Sequence, residues 1–153
     1  MLKIDKAKEL AGYLDKKSYT QSTKQKLEQM LNEIIQGGEN DINLDIEDMK
    51  CVLSYGGKVY LGSAQYKGAI SAEIAIELAM KDAEIKDNLL TDIMGALVCF
   101  TMHPDFSIME IYEVMNVINE NIHEDADIIF GTITDEALDK RSMKVHILFV
   151  ADS

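Results

Sequence analysis

Apolar residues recur at helical spacing through the first part of the chain. Ile4, Ala7, Leu10, Ala11 and Leu14 share one face over residues 3–15. A polar break follows at Ser18-Tyr19-Thr20-Gln21-Ser22. Leu27, Met30, Leu31, Ile34 and Ile35 then repeat at i, i+3, i+4, i+7 and i+8, which predicts an amphipathic helix over residues 23–36. Gly37-Gly38 ends it, because glycine takes the left-handed conformation of a helix C-terminal cap without strain. Asn40 to Asp48 is polar and acidic and runs into a short helix over residues 46–55, broken by Gly56-Gly57.

The pattern then changes. Lys58 to Ala64 alternates weakly and predicts a strand. Residues 70–83 carry Ile70, Ile74 and Leu78 at helical spacing. Ala96 to Met102 is a continuous apolar run, the signature of a strand covered on both faces. Ser107 and Glu110 have the spacing of a capping box, each side chain reaching the other's amide, with Phe106 and Ile111 as a hydrophobic staple. The helix they open runs to about Ile122, with Ile108, Ile111, Met115, Ile118 and Ile122 inward. Asp127–Ile133 and Met143–Ala151 are the last strands, joined by the polar residues Thr134–Arg141 as a hairpin. This order predicts an α+β two-layer sandwich: a four-stranded mixed sheet with helices on one face, preceded by two N-terminal helices. The division is residues 1–36, a helical segment, and residues 37–153, the α+β domain.

Length and charge narrow the function classes. The chain has 153 residues, ample for one core without disulfide or metal staples. No apolar run approaches a membrane span, and the charged start gives no export signal, so a cytoplasmic protein is expected. Cys51 and Cys99 each sit among apolar neighbours and read as reduced core thiols. The net charge of −12 is uneven: residues 1–26 hold seven lysines against three acids, and the remainder holds eight basic against 24 acidic residues. An acidic body disfavours nucleic acid and anionic membrane as partners.

Candidate chemistry is sparse. Asn43-Leu44-Asp45-Ile46-Glu47-Asp48 is acidic across a helix start, where Asp45 reads as an N-cap and Asp48 as a first-turn acid favoured by the helix dipole. A calcium loop fails, since Ile46 stands at the required glycine and Val52 at the required glutamate. No metal or cofactor site is expected. His103 and Asp105 flank Pro104 in a loop, His123 follows a helix, and His146 lies in a strand. There is no nucleophile elbow, P-loop or dinucleotide fingerprint. A nucleotide enzyme without a phosphate-binding loop lacks the part that positions its substrate, so no enzyme activity is expected of these residues alone.

Several segments, in order, resemble the C-terminal half of the FtsZ/tubulin family of bacterial cell division proteins. Leu31-Asn32-Glu33-Ile34-Ile35 is similar to the end of the family's central helix. Ile42-Asn43-Leu44-Asp45-Ile46-Glu47-Asp48 is similar to the loop that reads I-N-x-D-x-x-D. Leu61-Gly62-Ser63-Ala64, Asn88-Leu89-Leu90 and Gly95-Ala96-Leu97-Val98 resemble M-G-[ST]-G, P-L-L and G-x-L-V. The most specific stretch is Ala126 to Ile133 with Asp135-Glu136-Ala137-Leu138. The family's GTPase half, with its G-G-G-T-G-[ST]-G signature, does not occur in these residues. The family's arginine is missing from Ala69–Ala75, His146 stands where the family has threonine, the tail after Val150 is short, and residues 1–26 match nothing.

The resemblance implies a role. In family filaments the acidic loop enters the next subunit's nucleotide pocket, where its carboxylates orient the attacking water. It therefore implies that Asn43, Asp45 and Asp48 complete a partner's GTPase site in trans; a helix-start acid can both cap and protrude. The expected function is docking on the nucleotide face of an FtsZ-type partner, capping or modulating its polymerisation and GTP hydrolysis. The alternative is a self-associating or small-ligand binding domain, with a homodimer through the 23–36 helix.

Overall fold

The computed structural model describes residues 21–34, 46–55 and 57–151. The helix expected over residues 3–15, the Gly37-Gly38 stop and loop residues 40–45 lie outside them. The periodicity at Leu27 forms helix α1 (Gln21–Ile34), which buries Leu27, Met30 and Leu31. Helix α2 (Ile46–Leu53) buries Met49, Val52 and Leu53. There follow β1 (Val59–Lys67), α3 (Ser71–Asp82), a 3-10 turn (Asp87–Asp92), β2 (Ile93–Met102), α4 (Ile108–Asn121), β3 (Asp127–Thr134) and β4 (Ser142–Ala151).

The sheet is mixed and four-stranded, as expected, in the order β1-β4-β2-β3. Strand β4 is antiparallel to both β1 and β2, and β2 is parallel to β3. The expected hairpin between β3 and β4 is not formed. β4 is buried along nearly its whole length, and a strand apolar on both faces needs a neighbour on each side. It therefore lies between β1 and β2 and leaves the half-buried β3 at the edge.

Alternation along the two central strands divides the core. Ala96, Val98 and Phe100 of β2, with Val145, Ile147 and Phe149 of β4, pack under α3 and α4. Leu97 and Cys99, with Leu148 and Val150, pack under α1 and α2. The two crossover helices α3 and α4 thus share one face, as expected. Of the two helices expected to precede the sandwich, the one realised as α1 covers the opposite face together with α2. Each fully buried large apolar side chain contributes about 1.5–3 kcal/mol, so Leu27, Leu31, Met49 and Leu53 anchor these two helices more firmly than surface ion pairs do.

Two local expectations are corrected. The inward face of α3 is Ala72, Ala75, Ile76 and Ala79, while Ile70 and Leu78 are exposed. Small residues face the sheet because α3 lies almost on the β1 backbone: a Cβ on Gly62 would come 2.1 Å from the Ala79 carbonyl oxygen. At α4, Ser107 is the N-cap in extended conformation, but the reciprocal side-chain bonds of a capping box are absent. The Glu110 amide donates instead to the Ser107 backbone carbonyl at 3.2 Å. The Glu110 carboxylate turns into the groove between α3 and α4, where Oε1 is buried without a hydrogen-bond partner among the described residues.

Candidate functional site

Of the three residues expected to act on a partner, Asp48 falls among the described ones, while Asn43 and Asp45 lie outside them. Asp48 and Glu47 are exposed in the first turn of α2, where the helix dipole favours negative charge. Met49, Val52 and Leu53 pin the other side of this short helix to the sheet. The seating is close, since a Cβ on Gly95 of β2 would meet the Val52 carbonyl oxygen at 2.9 Å. Beyond the helix, the Tyr55 hydroxyl donates to Asp127 Oδ2 at 2.6 Å and ties the connection to β3. A pinned helix of this kind holds its outward carboxylates in a fixed direction.

Cys51 also points outward from α2 and is exposed, while Cys99 is buried. The expectation of two core thiols is therefore corrected for Cys51. Its neighbours Val52 and Leu53 point inward, and helical geometry turns Cys51 about 100° away from the first of them.

A second constellation lies on the same sheet face, beside α1. The β1–β4 register sets Ser63 opposite His146. Ser63 Oγ lies 2.6 Å from His146 Nδ1, and His146 Nε2 lies 2.6 Å from Glu33 Oε2 of α1. A carboxylate only accepts, so Nε2 carries the ring proton and Nδ1 accepts from the Ser63 hydroxyl. Burial holds the His146 pKa below its ordinary value; Glu33 pulls it up and Lys144 pushes it down. The side chain is 10% exposed, and Glu33 about half.

The order serine–histidine–glutamate polarises a hydroxyl as a nucleophile relay would. Among the described residues the rest of an acyl-transfer site is not built around it. The Ser63 amide, the donor nearest the hydroxyl, already donates to Asp82 Oδ2 at 2.9 Å, and that carboxylate opposes any developing oxyanion. The group instead lines a hollow of about 240 Å³ with Lys26 and Gln29. Its polar donors and acceptors suit a small hydroxylated or carboxylated molecule. Sequence reading missed the cluster because its members are far apart in the chain. The available signal was His146 at the family's threonine position, in a strand able to face the serine of Gly62-Ser63.

The other histidines act locally. His103 Nδ1 accepts from the Asp105 amide and His123 Nδ1 from the Asp125 amide, each at 3.0 Å. Among the described residues there is no grouping of three or more His, Cys, Asp or Glu side chains able to hold a metal ion. Nor is any helix among them long and apolar enough to cross a membrane.

Residues 57–151 match the family described as FtsZ family, C-terminal domain. The cell division protein FtsZ of Neisseria meningitidis (serogroup A) is 29% identical over 119 residues, covering 77% of this chain and 30% of that protein. FtsZ of Bartonella bacilliformis is 32% identical over 101 residues, 66% of this chain and 17% of its own length. An empty FtsZ dimer from M. jannaschii superimposes with a TM-score of 0.65 at 22% identity, covering 87% of this chain and 40% of that one. GDP-form protofilaments of Bacillus thuringiensis serovar israelensis TubZ give 0.62 at 14% identity, covering 85% and 36%. These two structures bear on the fold alone. The chain spans less than a third of the length of the Neisseria and Bartonella relatives.

Proposed function

The chain belongs to the FtsZ family through its C-terminal domain, and on that premise we propose that it docks, by the acidic loop leading into α2, on the nucleotide face of an FtsZ-type partner. There it caps or modulates polymerisation and GTP hydrolysis in trans. Asn43, Asp45 and Asp48 are the residues assigned to the contact. An ionised carboxylate aimed at the attacking water accepts its proton and holds it in line with the γ-phosphate. The observation that carries this reading is the exposure of Asp48 on a helix whose other side is buried in the core.

In this reading residues 37–153 form the docking unit and residues 1–36 a helical segment ahead of it. The protein works in the cytoplasm. These 153 residues contain no phosphate-binding loop of their own, so hydrolysis takes place on the partner. The acidic body needs Mg²⁺ on the partner's nucleotide, or the basic residues 1–26, to offset repulsion on approach. Co-sedimentation with FtsZ polymers of the source organism tests the docking. The wild-type chain should pellet with, or shorten, GTP polymers. No binding and no change in polymer mass at high molar excess would refute it.

The hollow at Ser63, His146 and Glu33 favours a second reading, a self-associating or small-ligand binding domain. A dimer by light scattering, together with no contact to FtsZ polymers, would support that alternative.

A further inference from the structure

The face of the sheet opposite α2 carries a groove of about 630 Å³ between α3 and α4. Its floor is apolar, formed by Ile76, Met80, Val114 and Ile118. Its sides carry Glu73, Glu77, Glu110 and Glu113 and, among the described residues, no lysine or arginine. Apolar side chains remain outside the core here: Ile70 is 57% and Val117 58% exposed. Both line the groove.

Two features at its residue 70/110 end mark unmet interactions. Glu110 Oε1 and Ser71 Oγ are the buried side-chain polar atoms without a hydrogen-bond partner among the described residues, and Ser71 is 1% exposed. Leaving such groups unpaired is costly; Lys140 and Arg141 line the adjoining hollow with them. Ile70, a β-branched residue, is held at φ 49°. That left-handed conformation is strained for such a side chain and persists mostly where a site requires it. Ile70 and Glu110 border both the groove and the adjoining hollow that contains Ser71.

We propose that this groove seats an amphipathic helix formed by residues 3–15 of the same chain. Ile4, Ala7, Leu10, Ala11 and Leu14 supply one apolar face, and Lys3, Lys6 and Lys8 supply ammonium groups for the glutamate-lined walls. An apolar stripe laid in a groove with charge-complementary walls is an ordinary mode of helix capture. Lys26 of α1 and Asp82, the last residue of α3, line one hollow at the β1 edge of the sheet, so α1 passes close to the end of α3. Residues 16–20 then span up to about 17 Å. The contact is independent of docking on FtsZ and lies on the other face of the sheet.

Zero-length carbodiimide cross-linking of the full chain, read by mass spectrometry on the monomeric fraction, tests this. Lys6 or Lys8 should join to Glu110 or Glu113. The Lys67–Asp139 pair, 3.3 Å apart, serves as the internal control. Leu10→Asp, and separately Val117→Lys at an exposed groove position, should each abolish the leader-to-groove link and leave the control link unchanged. Leader links spread over acidic residues elsewhere, or leader-to-groove links confined to covalent dimers, would overturn the proposal. So would links that survive both substitutions.

Discussion

His146 Nε2 stands 2.6 Å from the Glu33 carboxylate, which joins a buried polar side chain in the middle of β4 to α1. The ring is nevertheless less basic than a free histidine, because burial outweighs the neighbouring carboxylate. The folded chain therefore takes up this proton less readily than the unfolded chain, whose histidine titrates near 6.5. By linkage, the stability contributed by a neutral His146 is complete above about pH 6.5 and declines as the pH falls below it. Urea midpoints at pH 7.5 and 5.5 should show a larger drop for the wild type than for His146→Thr. Equal drops would contradict the assignment of this slope to His146.

Gly62 has no room for a side chain. A methyl group there meets the Ala79 backbone oxygen at 2.1 Å and the Ala83 amide nitrogen at 2.9 Å, neither of which can rotate away. Gly62→Ala should force α3 off the sheet and cost about 3 kcal/mol, read as a fall in the midpoint of chemical unfolding. Gly68→Ala provides a contrast: its φ of 147° is strained for alanine, but its near neighbours are atoms of the Tyr66 side chain, so its cost comes from backbone conformation, about 1 kcal/mol.

The two thiols should separate by accessibility. Cys51 is exposed and Cys99 buried. One equivalent of a thiol reagent should react promptly with the native protein, and the second only at the rate of unfolding. Cys51→Ser should remove the fast phase.

Phe100 is fully buried beneath α3 and α4 and meets Phe130 edge-on, with ring centroids 6.4 Å apart. Phe100→Ala leaves a cavity in the larger half of the core and should cost about 3–5 kcal/mol, with thermal unfolding as the readout.

What could be read from the chain depended on how local the determining contacts were. The α1 and α4 faces were legible because Leu27, Met30 and Leu31, or Ile111, Met115 and Ile118, repeat within a single helix. The run Ala96–Met102 declared a doubly covered strand. Pairing was not legible: nothing in Thr134–Arg141 distinguishes a hairpin from a connection that carries β4 past β2. The face of α3 was misjudged because Ile70 and Leu78 are the bulkier residues, while closeness to Gly62 demands alanines. Ser107 was correctly placed at a helix start, but the Glu110 side chain answers to the groove rather than to its own turn. For the same reason the Ser63–His146–Glu33 cluster could not be assembled, since its three members meet only through strand register and helix packing. Asp48 was placed at a helix start from local sequence, and its outward direction follows from the burial of Met49 and Val52.

Docking by the acidic loop is tested most directly by the GTP hydrolysis rate of FtsZ from the source organism, measured against rising concentrations of this chain. The rate should change saturably with the wild-type chain, and Asp48→Asn and Asp45→Asn, each folded by circular dichroism, should reduce that effect about tenfold. A rate unaffected by the wild-type chain at high excess, or changed equally by both variants, would contradict it.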